Sequence, residues 1–177
     1  MISDIEIQRI IKHYRRKFGR DRHIEDCANQ SNFPAAVYQA ATARDDCGVK
    51  HRHQHRIPNT TLENFALILI NNQCSISTLS FDDLHESIRR IVQVNNIKRI
   101  GKLAIYDTAM RIGGYLTLKP DKIYLHQGTK TGLANLLKKT IHTSTYDLSK
   151  LPKIFRNEDV TCAEAEDILC IYKDRFK

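Results

Sequence analysis

The sequence predicts an all-α fold, a compact multi-helix single domain with room for at most one short extended hairpin. Two observations carry this expectation. Apolar residues recur at helical spacing in successive stretches that open on Ser, Thr or Asn caps, and only one short segment alternates with a period of two. The composition agrees: 41% hydrophobic and 27% charged residues in 177 exclude disorder throughout and collagen-like structure.

Residues 3–18 open on Ser3 with Glu6 three positions later, a capping-box pattern. Ile7, Ile10, Ile11, Tyr14 and Phe18 then form one stripe before Gly19. Asn32 caps a second helix with Pro34 in its first turn, running through Ala36, Val37, Ala40 and Ala41 towards Gly48. Residues 50–58 form a basic, His-rich connector. Thr60 with Glu63 reads as another capping box, ahead of Leu62, Phe65, Ala66, Ile68 and Leu69. Ser80 with Asp83 starts the next helix, whose Phe81, Leu84, Ile88 and Ile91 share a face until Asn95 and Asn96. A further helix begins after Gly101 and runs towards Pro120. Its pair Gly113 and Gly114 implies either a kink or close packing on another backbone. Residues 122–126 alternate and predict a short extended piece, residues 132–142 a basic helix, and Thr161 with Glu164 the cap of the last helix. No linker or repeat marks a boundary, so the expectation is one domain over 1–177. If it divides, the lobes are 1–56 with the C-terminal helix, and 57–156.

Charge is unevenly distributed. The whole chain carries +8, while residues 97–156 alone carry +9 and residues 157–177 carry −3. A basic block of this kind attracts polyanions, and DNA, ahead of RNA, is the partner it suggests. The five cysteines lack CxxC spacing and read as reduced thiols. Apolar runs such as residues 65–70 are far too short to span a bilayer, so the expectations are no membrane partner and a cytoplasmic location.

The informative stretch is Ile97-Lys-Arg-Ile-Gly-Lys-Leu-Ala104 and the helix that follows. A helix ending at the Asn pair, a tight turn at Ile100-Gly101 and a second helix with Ala104 on its inner face resemble the helix-hairpin-helix of DNA-binding proteins, with Arg99 standing where the motif usually carries a second glycine. The resemblance implies that the hairpin backbone approaches a phosphate, with Lys98, Arg99, Gly101 and Lys102 in contact and Lys130, Lys138, Lys139, Arg52 and Arg56 extending the basic surface. Within that family the segment 97–121 is similar to base-excision glycosylases, which implies Lys102 as nucleophile on the sugar and Asp121 as stabiliser of its positive charge. Residues 106–129 and 166–173 also resemble segments of uncharacterised bacterial proteins, which supply no activity. Asp107 and Arg111, at i,i+4, predict a helical ion pair.

In Lys50-His-Arg-His-Gln-His-Arg56 the histidines alternate. On an extended backbone His51, His53 and His55 project to one side and form an alternative metal site, with Cys47 as a fourth ligand. The interleaved cations and the lack of a neighbouring carboxylate predict instead that no metal or other cofactor binds. Residues 126–132, a polar stretch with Gly128 and Gly132, read as a turn able to hold a phosphate but lack the spacing of a nucleotide-binding loop. The expected function is therefore phosphate-backbone binding of nucleic acid. The alternatives are a DNA glycosylase, lyase or nuclease-like enzyme, and a protein-interaction subunit that docks through its acidic C-terminal helix.

Overall fold

Caps and apolar stripes define nine α-helices among residues 2–177, which the computed structural model describes: α1 (Asp4–Phe18), α2 (Arg22–Ala28), α3 (Phe33–Thr42), α4 (Asn59–Asn71), α5 (Phe81–Val94), α6 (Lys102–Leu116), α7 (Gln127–Leu137), α8 (Lys153–Asn157) and α9 (Cys162–Ile171). Two short strands, β1 (Ile123–Tyr124) and β2 (Thr145–Tyr146), pair antiparallel with Ile123 opposite Tyr146. The fold is all-α with one small extended pair. No helix among the described residues is long and apolar enough to cross a membrane, and all five cysteines are free.

The chain divides into two units. The terminal unit comprises the residues up to Arg20 with Pro120–Lys177, and the central unit comprises Asp21–Lys119. The sequence expectation also allows two lobes but draws them at residue 56, and these units divide elsewhere. Only α1, not the rest of 1–56, joins the C-terminal helix. The reason lies in packing partners: the large residues Ile7, Ile10, Ile11 and Tyr14 of α1 face α8 and α9, whereas the small residues Ala36, Ala40 and Ala41 suit α3 to close contact with α4 and α6.

In the terminal unit the α1 stripe closes over a core that includes Leu133, Phe155, Leu169 and Phe176. Polar ties reinforce it. Tyr14 Oη donates to Asp167 Oδ2 at 2.8 Å, and Arg15 pairs with Glu164 at 2.8 Å. Helices α7 and α9 approach closely at Gly132, where a Cβ would fall inside the backbone carbonyl of Leu169.

In the central unit α6 packs against α2, α3 and α5. Its residues Ala104, Ile105, Tyr106, Asp107, Thr108 and Ala109 are all buried, a consecutive run that no one-sided amphipathic helix produces. The glycine pair serves close packing, not a kink. A Cβ on Gly113 would lie 2.8 Å from the Leu118 carbonyl oxygen, and one on Gly114 would lie 2.7 Å from Ile24 Cγ2.

Several boundaries differ from the sequence expectation. Helix α3 stops at Thr42, because Ala43 turns left-handed at φ 56°, well before Gly48. Helix α4 starts at Asn59 behind Pro58, so Thr60 and Glu63 lie inside the helix and form no cap. Helix α7 starts at Gln127, so residues 127–132 are helical and form no phosphate-holding turn; Gly128 and Gly132 are small there because α9 passes close by. The short helices α2 and α8 were not anticipated, and neither was β2.

Gly132→Ala is expected to destabilise the protein by roughly 2–3 kcal/mol, the upper part of the range for overpacking. Gly101→Ala, which meets nothing within 4 Å, is expected to change stability by less than about 0.5 kcal/mol. Urea unfolding of both variants checks the contrast, and equal effects would contradict the α7–α9 contact.

Candidate functional site

Two arrangements in the central unit gather basic or titratable side chains, and both involve α6. The first is the hairpin before it. Helix α5 ends in a Schellman arrangement: Asn96 is left-handed at φ 48°, Ile97 N–H donates to Val92 O at 3.1 Å, and Asn96 N–H donates to Gln93 O at 3.2 Å. Ile97 and Ile100 turn inward and are buried, while Lys98, Arg99, Gly101 and Lys102 are exposed. The pattern apolar-basic-basic-apolar-Gly-basic thus anchors the turn on its inner side and charges its outer side.

The left-handed residue of this turn is Arg99, at φ 68°, whereas Gly101 has φ −94° and ψ 179°, which any residue adopts. What glycine provides at position 101 is space. Nothing lies within 4 Å of where a Cβ would be, and Gly101 offers no side chain to cap the first-turn amides of α6. Those amides carry the positive end of a 15-residue helix dipole. Lys98 donates to Asn96 Oδ1 at 2.6 Å.

The second arrangement joins the His-rich connector to α6. His51 N–H donates to Ala43 O at 2.8 Å, and Asp45 Oδ1 accepts from the amides of Cys47 and Val49, which folds residues 43–51 into a tight loop. A 3-10 turn at Arg52–Gln54 then presents His53 and Gln54 to α6. Asp107 Oδ2 accepts from His53 Nδ1 at 2.9 Å and from Gln54 Nε2 at 2.7 Å. Gln54 Oε1 in turn accepts from Arg111 Nη2 at 3.0 Å and lies 3.2 Å from His51 Nδ1. Arg111 also donates to Ala40 O at 3.1 Å, in the last turn of α3. The direct Asp107–Arg111 ion pair expected from i,i+4 spacing is replaced by this route through Gln54, because the connector inserts between them.

Electrostatics follow from the geometry. Burial opposes the charge on Asp107, but the His53 hydrogen bond, the nearby Arg111 charge and the Gln54 amide together hold its carboxyl below the usual carboxylate range. Burial, assisted by the Arg111 charge, pushes the His51 imidazole down to about 4 although Asp107 works in the other direction. His51 is therefore neutral at pH 7. Its ring lies edge to face with those of His53, at 4.7 Å between centroids, and of His23 on α2, at 4.9 Å.

The structure thus joins His51 and His53 with a carboxylate that the sequence did not show beside them. His55 is not part of the group: its Nε2 lies 3.0 Å from Lys50 O. Cys47 is not part of it either, its Sγ lying 3.0 Å from Arg22 Nη2. The expected absence of a neighbouring carboxylate is corrected, since Asp107 lies 54 positions beyond His53 in the chain.

The other expected residues separate by unit. Lys98, Arg99, Gly101, Lys102, Arg52 and Arg56 are exposed in the central unit. Lys130, Lys138 and Lys139 belong to the terminal unit, where they line one shallow cavity of about 460 Å³ beside α7. There Lys138 donates to Phe176 O at 3.2 Å, and the Lys139 amine lies 5.8 Å from the centre of the Tyr146 ring. Lys102 opens α6 and Asp121 follows its far end, in the terminal unit; α6 is about 22 Å long at 1.5 Å per residue. The acids of α9 are engaged within the terminal unit: Glu164 with Arg15, Glu166 with Thr129 and Asp167 with Tyr14. Comparison of the chain with protein-family models, with curated proteins and with solved structures finds no match.

Gln54, 2% exposed, is the hub of the polar network, and Gln54→Ala leaves Asp107 and Arg111 each short of a partner. A loss of about 3 kcal/mol is expected in urea unfolding. A loss below about 1 kcal/mol would mean that water replaces the amide.

Proposed function

We propose that this protein binds the phosphate backbone of nucleic acid through the hairpin at residues 95–104 of its central unit. The observation that carries the reading is the outward face of the turn. Three exposed cations, Lys98, Arg99 and Lys102, surround the uncapped amino end of α6, and Gly101 leaves the backbone open to close approach. An anion there meets main-chain N–H donors, a helix dipole and side-chain charge together. Phosphate contacts of this kind carry no base information, so binding is weakly dependent on sequence. The resemblance of residues 97–104 to a helix-hairpin-helix supports the same reading, because the position where that motif carries its second glycine is left-handed here although Arg99 fills it.

Three phosphate contacts imply a log–log salt slope of about −2.7, so duplex affinity is expected to fall roughly 40-fold between 50 and 200 mM salt. Fluorescence anisotropy with a labelled duplex measures this. Lys102→Ala should lower the slope by about one unit. Gly101→Val should weaken binding more than Lys102→Ala while the melting temperature stays unchanged, since a Cβ at 101 touches nothing within the protein. A Val variant that binds as well as the parent would reduce the hairpin to a packing turn. Arg99→Gly separates fold from function in the opposite sense. Relief of the left-handed arginine should raise stability by up to about 1 kcal/mol, while the lost cation lowers affinity.

A further inference from the structure

We propose that His51, His53 and Asp107 form a binding site for one divalent first-row transition ion of the zinc or cobalt kind. One donor atom from each of the three lies within 4.8 Å of the others, with His53 Nδ1 and Asp107 Oδ2 at 2.9 Å, whereas tetrahedral ligation at about 2.1 Å requires separations of roughly 3.4 Å. Side-chain rotation on binding has to close the difference. Two imidazoles and one carboxylate are the donor set of open sites, which keep one or more positions for water or an exogenous ligand.

The surroundings suit an ion as well as the ligands do. Gln54 orients two of the three: its Nε2 binds Asp107 Oδ2 at 2.7 Å, and its Oε1 faces His51 Nδ1 at 3.2 Å. Such outer partners fix ligand geometry before an ion arrives. The ring of His23 packs on His51, and its own Nε2 lies 3.1 Å from Val49 O, so it braces the site without joining it. Asp107 is nearly enclosed, with 11% of its side chain exposed, whereas the His53 side chain is 28% exposed and leaves a way in. Arg111 is the unfavourable element. Its guanidinium donates to Ala40 O and Gln54 Oε1, but its charge lowers the affinity for a cation.

Binding needs one proton to move. In the ion-free protein His53 Nδ1–H donates to Asp107. On binding, the neutral ring carries its proton on Nε2 instead, exchanged through water, and Nδ1 offers its lone pair. The ion then occupies the place of that proton, between imidazole and carboxylate. No bond to carbon changes and no redox partner is required.

The test uses full-length, tag-free protein with Cys47 and Cys74 replaced by serine, because exposed thiols bind these ions by themselves. Co²⁺ is added under equilibrium dialysis and followed by its visible absorption. The expected result is one ion per chain, displaced by Zn²⁺. Binding should be at least about tenfold weaker in His51→Gln, in His53→Ala and in Asp107→Asn, and unchanged in His55→Ala. Circular dichroism of the ion-free variants monitors folding. The parent protein supplies a second readout, a Zn²⁺-dependent rise in melting temperature that His53→Gln abolishes. No saturable single equivalent on the parent, or binding by the His51 and His53 variants as tight as the parent's, would overturn the site. Gly101→Val leaves ion binding intact while acting on the hairpin, so this site and the nucleic-acid reading fail separately.

Discussion

A carboxylate on a helix that is buried on nearly every side has to be met by donors, and Asp107 imposes that demand on the central unit. Leaving it unmet would cost several kcal/mol. The donors come from His53 and Gln54, which fixes the path of the connector between α3 and α4. Arg111, one turn further along α6, supplies the compensating charge and reaches the Ala40 carbonyl near the end of α3. One network therefore ties α3, the connector and α6 together, with His53 on the carboxylate itself and His51 joined to it through Gln54.

The hairpin before α6 obeys a different constraint. Its inner residues Ile97 and Ile100 are held by apolar packing, so its outer residues are free to be charged. The left-handed backbone falls on Arg99 and not on the neighbouring glycine. Arg99 shares this conformation with Ala43, Asn96, Thr117, Lys138 and Asp159, so the turn holds an arginine where glycine would sit more readily. The open space beside Gly101 fits the same outward orientation.

Much of the fold was legible because its signals are local. The Ser3, Asn32, Ser80 and Thr161 caps mark the starts of α1, α3, α5 and α9 within a residue, since each side chain accepts a first-turn amide. Helices α2 and α8 escaped notice because seven and five residues are too few to display a stripe. The start of α7 was misread because Gly128 and Gly132 look like turn residues, yet their smallness answers to α9, some forty positions away in sequence. The functional residues follow the same rule. The alternation of His51 and His53 was visible, but the carboxylate that completes the group comes from a distant helix. The i,i+4 relation of Asp107 and Arg111 was also visible, and it gave no hint that Gln54 stands between them.

The order of the chain within the two units bears on how the protein is made. Residues 21–119 are continuous, whereas the terminal unit is assembled from two segments that flank them. Helix α1 is synthesised well before α8 and α9, the helices it packs against. The central unit can close its contacts during synthesis, while the apolar stripe Ile7, Ile10, Ile11 and Tyr14 waits uncovered. Joining α1 to α9 closes a loop of well over a hundred residues, which a prefolded central unit shortens by holding its own ends in place. The two units are thus poised to mature from the middle outwards, with α1 open to misassociation until α8 and α9 have been made.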